Sequence, residues 1–310
     1  MECAAVPKEW GNGPETPLGR IGETWEVSDA PGFESVALSP SGLRVSFGFL
    51  VRNHPAEIAG DVPFLPPDGR FPLLIKHLLV GGYTSVQVHP GDDTALAFGE
   101  AHPGKSEAWV VVSADPGARI LLGFSRDPGR EALPALFTGG GILEYLNTIA
   151  PREGLCLPVP PGTIHAIGGG VTVFEVQTNS QLTYRLYDWG RERPEGLHLG
   201  RGIPCLDHAP CHAPSPAPLE VPVPWGQRSV LVANEAFVIE RHRPLESATI
   251  DGRGRFLIVS SLGTSGGVSF PGGEWLAAPR RTWFVPATAR DVSLMPGGDY
   301  LVCFVPRPER

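Results

Sequence analysis

The chain contains no apolar run that approaches about 18 uncharged residues, so no membrane-spanning helix is expected. Its first residues, MECAAVPKEW, lack a basic segment followed by an apolar core, and they read as no export signal. Positive charge is also in short supply. The 25 Lys and Arg are outnumbered by 33 Asp and Glu, for a formal net charge of -8. This argues against a nucleic-acid partner gripped through its phosphates, although one local basic pocket remains compatible with it. The glycine runs Gly139–Gly141 and Gly168–Gly170 match neither G-x-G-x-x-G nor a phosphate loop, so nucleotide binding has no support. Cysteine is sparse. Cys3, Cys156, Cys205, Cys211 and Cys303 are an odd number without an export signal, which is the pattern of reduced thiols in a cytoplasmic protein.

Turn chemistry, in contrast, is plentiful. There are 39 Gly and 34 Pro, many of them between short Val, Ile, Leu and Phe runs, which favours sheets joined by tight turns over long helices. GETWEVSDAPGFESVAL reads as two strands around Pro31-Gly32, residues 51 to 70 read as loop, and FPLLIKHLLVGG is an apolar run whose period does not separate helix from strand. Strands are expected near 84–89, 107–113 and 119–123. Residues 131–149 are the best helical stretch, broken into two short helices by Gly139–Gly141. A proline-rich linker at 211–219 separates a domain over 1–210 from a second β domain over 220–310. LCLPVPPGTIHAI and TWFVPATARDVSL echo one another. Aligning Pro161 with Pro286 sets His165 opposite Arg290, so a repeat there has lost its imidazole.

The stretch from Thr84 to Trp109 has the pattern of a site. In a strand Gln87 and His89 share one face, and Lys105 and Glu107 repeat the i, i+2 spacing after a Pro-Gly-Asp-Asp turn. His89, Glu107 and His165, with Gln87 as a neutral oxygen donor, suit a borderline divalent ion such as zinc. Their separations fit no zinc-finger rhythm, and they equally suit a turn closed by His89 and Asp92 with a solvated His165. Arg185 lies in the aromatic run TYRLYDWGR, where it needs Asp188, Glu175 or an anionic substrate as a partner. Lys76 and Lys105 are further anion contacts. Glu175, an acid on an apolar strand, is a base, a support for a ligand or a mate for Arg185. Cys205, His208, Cys211 and His212 have short metal-like spacing in a proline-rich setting, which reads as an incidental loop.

SVQVHPGDD, GKSEAWVV, PPGTIHAIGGGVTVFEVQTNSQLTYRLYDWGR and FPLLIKHL, taken together, resemble the type I mannose-6-phosphate isomerases, especially the short bacterial members. The similarity covers residues 20 to 200 and continues in the β pattern beyond. It implies a mainly β cupin (jelly-roll) fold: a metal-bearing domain with a small helical portion near 131–149, then a cupin-like domain without metal. It also implies one zinc ion per chain on Gln87, His89, Glu107 and His165, with Arg185, Glu175 and Lys105 catalytic. The reaction implied is interconversion of mannose 6-phosphate and fructose 6-phosphate, with a sugar phosphate as the sole class of partner and a monomer or weak homodimer as the assembly. A ligating histidine cannot also be the free base, which leaves Glu175, Lys105 or a metal-bound water. The alternatives are another metal-dependent cupin enzyme acting on a sugar or small oxygenated acid, and a non-catalytic carbohydrate-binding cupin.

Overall fold

The protein is described by a computed structural model at residues 1–39, 41–62, 69–192, 194–211, 215–271 and 273–307. The chain forms two compact units. One comprises Met1–Ala4, Trp25–Lys76 and Ala217–Arg310, and the other comprises Ala5–Thr24 and His77–Pro216. Both are built from β-sheets, as the abundance of turns requires.

In the unit that holds His77–Pro216, one sheet carries the strands Val171–Thr178, Glu107–Ala114 and Cys156–Val159 side by side. A second, five-stranded sheet runs in the order Leu146–Ile149, Ile120–Phe124, His165–Ile167, Val86–Val88, Tyr184–Tyr187. Their facing surfaces close on a common core in which Trp109, Val111, Leu157, Val159, Val171 and Val173 meet Ile120, Leu122 and Ile167. The period-2 alternation of a strand then fixes the other face. Val86, Val88, Leu121, Ile164, Ala166, Tyr184 and Leu186 point away from that core, toward Leu133, Phe137 and Ile142 of the helical segment. Gln87, His165 and Arg185 are left on the inner side.

The helical stretch is broken at glycine as expected, but it ends sooner. A helix Leu133–Gly139 and a 3-10 turn Gly141–Tyr145 are followed by a strand, Leu146–Ile149, paired with Ile120–Phe124. The Leu143, Leu146, Ile149 recurrence suits a helix on paper. The open edge of the neighbouring strand outweighs it, because pairing satisfies the buried backbone groups. FPLLIKHLLV resolves as a strand, Leu73–Val80, buried along its whole length.

In the other unit a six-stranded sheet covers a four-stranded one. Val238, Leu257, Val259, Trp283, Val285, Tyr300 and Val302 of the first pack on Ala248, Val268, Val292 and Leu294 of the second. Two short helices, Phe47–Asn53 and Pro55–Ile58, stand where a loop was expected over 51–70. Ser46 caps the first, accepting from the Phe49 N–H at 3.2 Å, and Pro55 opens the second. The Pro66-Pro67-Asp68 turn lies outside the described residues. Lys76 stands over the Trp25 ring at 5.0 Å. The architecture is that of the cupin fold expected above, with its sheets left open rather than closed into a barrel.

One buried hydroxyl tests how this second sandwich is held. Tyr300 Oη accepts from the Gly267 N–H at 2.7 Å and lies 2.9 Å from both the Gly267 and Met295 carbonyls, one of which takes its proton. Tyr300→Phe keeps the ring and strands these groups. We expect a loss of roughly 1–3 kcal/mol, read as a fall in Tm of about 2–4 °C for each kcal/mol. An unchanged Tm would mean that the loop at Gly267 finds other partners.

Candidate metal centre

Sheet register assembles the site from distant parts of the chain. His165 is the register partner of Gln87 on one side, and Arg185 is its partner on the other, so three polar side chains share the inner face of one sheet. His89 lies just past the Gln87 strand. Glu107 begins the strand Glu107–Ala114 of the facing sheet, with Gln177 opposite it and Glu175 opposite Trp109. The loop that delivers Lys105 is tied down at several points. Lys105 N–H donates to the Pro90 carbonyl at 3.0 Å, Gly104 N–H to Asp92 Oδ1 at 2.8 Å, and Ser180 Oγ to the Pro103 carbonyl at 2.7 Å. Gly104 is required there, because a Cβ would come within 2.4 Å of the Gly91 carbonyl carbon.

His89, Glu107 and His165 are each only 1 % exposed. Backbone carbonyls hold both rings: His89 Nδ1 lies 2.7 Å from Leu182 O, and His165 Nδ1 lies 2.8 Å from Thr163 O. A carbonyl accepts only, so Nδ1 carries the proton in each ring and Nε2 presents a lone pair. Those lone pairs face the Glu107 carboxylate, at 3.5 Å from His89 Nε2 and 3.4 Å from His165 Nε2. Burial, with Lys105 adding to it, lowers the His89 pKa to about 4, and burial also lowers that of His165. These contacts are therefore not salt bridges but acceptors facing an anion.

Burial alone would raise the Glu107 pKa, but the charge of Lys105 outweighs it and holds the carboxyl well below the usual carboxylate range. Lys105 shows the converse balance. Burial pulls its pKa down, and the carboxylates of Glu107 and Glu175 outweigh that and keep it raised. Lys105 Nζ lies 2.6 Å from Glu107 Oε2, yet without hydrogen-bond alignment, so both carboxylate oxygens and His89 Nε2 are buried with no directed donor.

Three donor atoms within 4.8 Å of one another, buried and short of protons, make a set that a divalent cation satisfies. Gln87 fits beside them. Its amide nitrogen is placed 3.1 Å from His165 Nε2 and its oxygen accepts from Ser85 Oγ at 3.0 Å. A half-turn of the amide directs the oxygen inward, and the Ser85 hydroxyl is satisfied either way.

The remaining expected residues fall at different distances from this centre. Glu175 is buried beside it, its Oε2 accepting from Trp109 Nε1 at 2.9 Å, while the Trp109 ring packs edge-on against His165 with centroids 5.3 Å apart. Arg185 pairs with Glu195 at 2.9 Å and stands 3.8 Å from Asp188. Asp92 is a clasp for Gly104 rather than a partner for His89. Among the described residues the only cluster of metal-type donors is His89, Glu107 and His165, so Cys205, His208 and Cys211 form no second one; His212 lies outside them. Sequence reading missed Ser85 and Trp109, although each is two residues from a ligand candidate on the same strand face. It also missed the Leu182 and Thr163 carbonyls, which leave no mark in a sequence.

No family model matches the chain. It is 32% identical over 266 residues to the mannose-6-phosphate isomerase of Streptococcus mutans serotype c, covering 84% of this chain and 81% of that protein. The crystal structure of the mannose 6-phosphate isomerase from Bacillus subtilis superposes with a TM-score of 0.85 at 25% identity, over 98% of each chain. A solved mannose 6-phosphate isomerase bound with zinc and yttrium shares the fold, with a TM-score of 0.78 at 15% identity over 99% of this chain and 98% of that one. Among the described residues, no helix is long and apolar enough to cross a membrane.

Proposed function

Since the chain belongs to the mannose-6-phosphate isomerase family, which its 32% identity across most of a curated relative establishes, we propose that it interconverts mannose 6-phosphate and fructose 6-phosphate at the His89–Glu107–His165 centre. The observation that carries the reading is the convergence of two unprotonated imidazole nitrogens and one carboxylate in the buried interior. Gln87, His89, Glu107 and His165 would hold a single zinc ion. Zinc, when bound there, would supply a Lewis acid that polarises the substrate's oxygens.

The reaction moves a hydrogen between C2 and C1 and a proton between the two oxygens, through an enediolate. Glu175 is the group we assign to take the C2 hydrogen as a proton and return it at C1. Lys105, kept cationic by its carboxylate neighbours, is unsuited to be the resting base. Its charge instead favours negative charge developing on the substrate oxygens. Arg185 shares the face of Gln87 and His165, and its guanidinium is assigned to the same oxygens. The phosphate anchors the far end of the sugar, so its binding energy orients the reacting carbons.

A coupled assay on mannose 6-phosphate, run after chelation and again after zinc is returned to the same sample, tests this reading. Turnover should fall about 10²–10³-fold or more and recover with zinc. Undiminished turnover in protein shown to be metal-free would remove the metal from the proposal, and a folded, zinc-loaded sample without turnover would remove the substrate.

A further inference from the structure

Arg185 lies on the edge of its sheet. Among the described residues the strand Tyr184–Tyr187 has a single neighbour, Val86–Val88, and the ladder between them is bulged between Arg185 and Tyr187. The Arg185 backbone groups are taken up by one residue instead. Arg185 N–H donates to His198 Nδ1 at 3.1 Å, and His198 N–H donates to the Arg185 carbonyl at 2.7 Å. An imidazole nitrogen thus fills the place of a strand carbonyl, and because Nδ1 accepts, the ring proton sits on Nε2.

The clamp is itself anchored. His198 is the N-cap of the helix Leu199–Cys205, its carbonyl accepting from the Gly202 N–H at 2.8 Å. That helix lies tight against the arginine strand: a Cβ at Gly202 would come within 2.5 Å of Leu186 Cδ2 and 3.1 Å of Tyr184 Cβ. The imidazole therefore closes an otherwise open edge at the residue where the ladder fails.

We propose that His198 is a positioning residue for Arg185, using Nδ1 to hold the strand edge so that the guanidinium meets the substrate oxygens. This rests on the role assigned to Arg185 above. Loss of the acceptor leaves the Arg185 N–H unpaired and frees the bulged segment to shift, and a displacement of about 1 Å is enough to cost up to roughly a hundredfold in rate.

The test uses the zinc-loaded full chain with His198→Leu, His198→Asn, Arg185→Ala and the Arg185→Ala/His198→Leu pair, each assayed for zinc content, kcat and KM. His198→Leu should lower kcat about 10- to 100-fold at unchanged zinc, with KM moving less than about threefold. His198→Asn, whose Oδ1 can stand in for Nδ1, should return to within about threefold of the parent, and His198→Leu should add nothing in the Arg185→Ala background. The proposal is overturned if His198→Asn is as impaired as His198→Leu, or if the His198→Leu loss carries over in full onto Arg185→Ala. Parent-level turnover in Arg185→Ala would overturn the role of Arg185 itself, a result that the other two cannot mimic.

Discussion

Glu107→Gln is expected to abolish zinc retention and turnover together. Glu107 is the sole anion of the three-donor cluster, and it balances the buried Lys105 ammonium 2.6 Å away. An amide of the same size keeps the packing but withdraws both the ligand charge and the counter-charge. Removing one partner of a buried ion pair costs about 3–5 kcal/mol, and although Glu175 still faces Lys105, a divalent ion then meets neutral donors beside a positive lysine. Loss of the anionic ligand should separately lower metal affinity and activity by roughly 10²–10³-fold or more, each decade being worth about 1.4 kcal/mol. Metal analysis after gel filtration, beside the coupled assay, reads both. Stoichiometric zinc in Glu107→Gln would remove Glu107 from the ligand set. The companion variant Glu107→Gln/Lys105→Met removes the stranded cation as well. It should recover thermal stability without recovering zinc, which separates loss of a ligand from loss of the fold.

How far this centre was legible follows from what a strand does with sequence. Gln87, His89, Lys105 and Glu107 come in i, i+2 pairs, and period-2 alternation alone puts each pair on one face. The meeting of His165 with Gln87, 78 positions apart, depends on strand order. The sheet runs Ile120–Phe124, His165–Ile167, Val86–Val88, Tyr184–Tyr187, an order that no local pattern encodes, and the resemblance to a known family implied the ligand set without it. The carbonyls of Leu182 and Thr163 fix both histidine tautomers, yet every residue has a carbonyl, so nothing in the sequence marks these two. The short helices Phe47–Asn53 and Pro55–Ile58 were lost among loop residues because each spans two turns or fewer, too short for a period to declare itself. Leu146–Ile149 went the other way. Its leucine spacing continued a helical recurrence, and only the open edge of Ile120–Phe124 made it a strand.

Glu175→Gln is expected to separate chemistry from metal binding more sharply than any other change. Glu175 is 3 % exposed, sits opposite Trp109 in register, and accepts the indole N–H at 2.9 Å. Glutamine keeps an acceptor for that indole and nearly the same volume, and Glu175 is not one of the four proposed ligands. Zinc content and Tm should therefore stay near those of the parent. What the amide cannot do is accept a proton from carbon, and Lys105, which loses one of its stabilising carboxylates, still holds its own proton beside Glu107. A positioned general base contributes about 10²–10⁴-fold, so kcat should fall by that factor. Turnover alone does not identify the step, because a misplaced substrate would also slow it. In deuterated water, exchange of the C2 hydrogen of mannose 6-phosphate reports proton abstraction directly. If Glu175 is the base, exchange and turnover fall in parallel. Exchange at the parental rate with turnover depressed would place the proton transfer on another group and leave Glu175 as the support that holds Trp109 against His165.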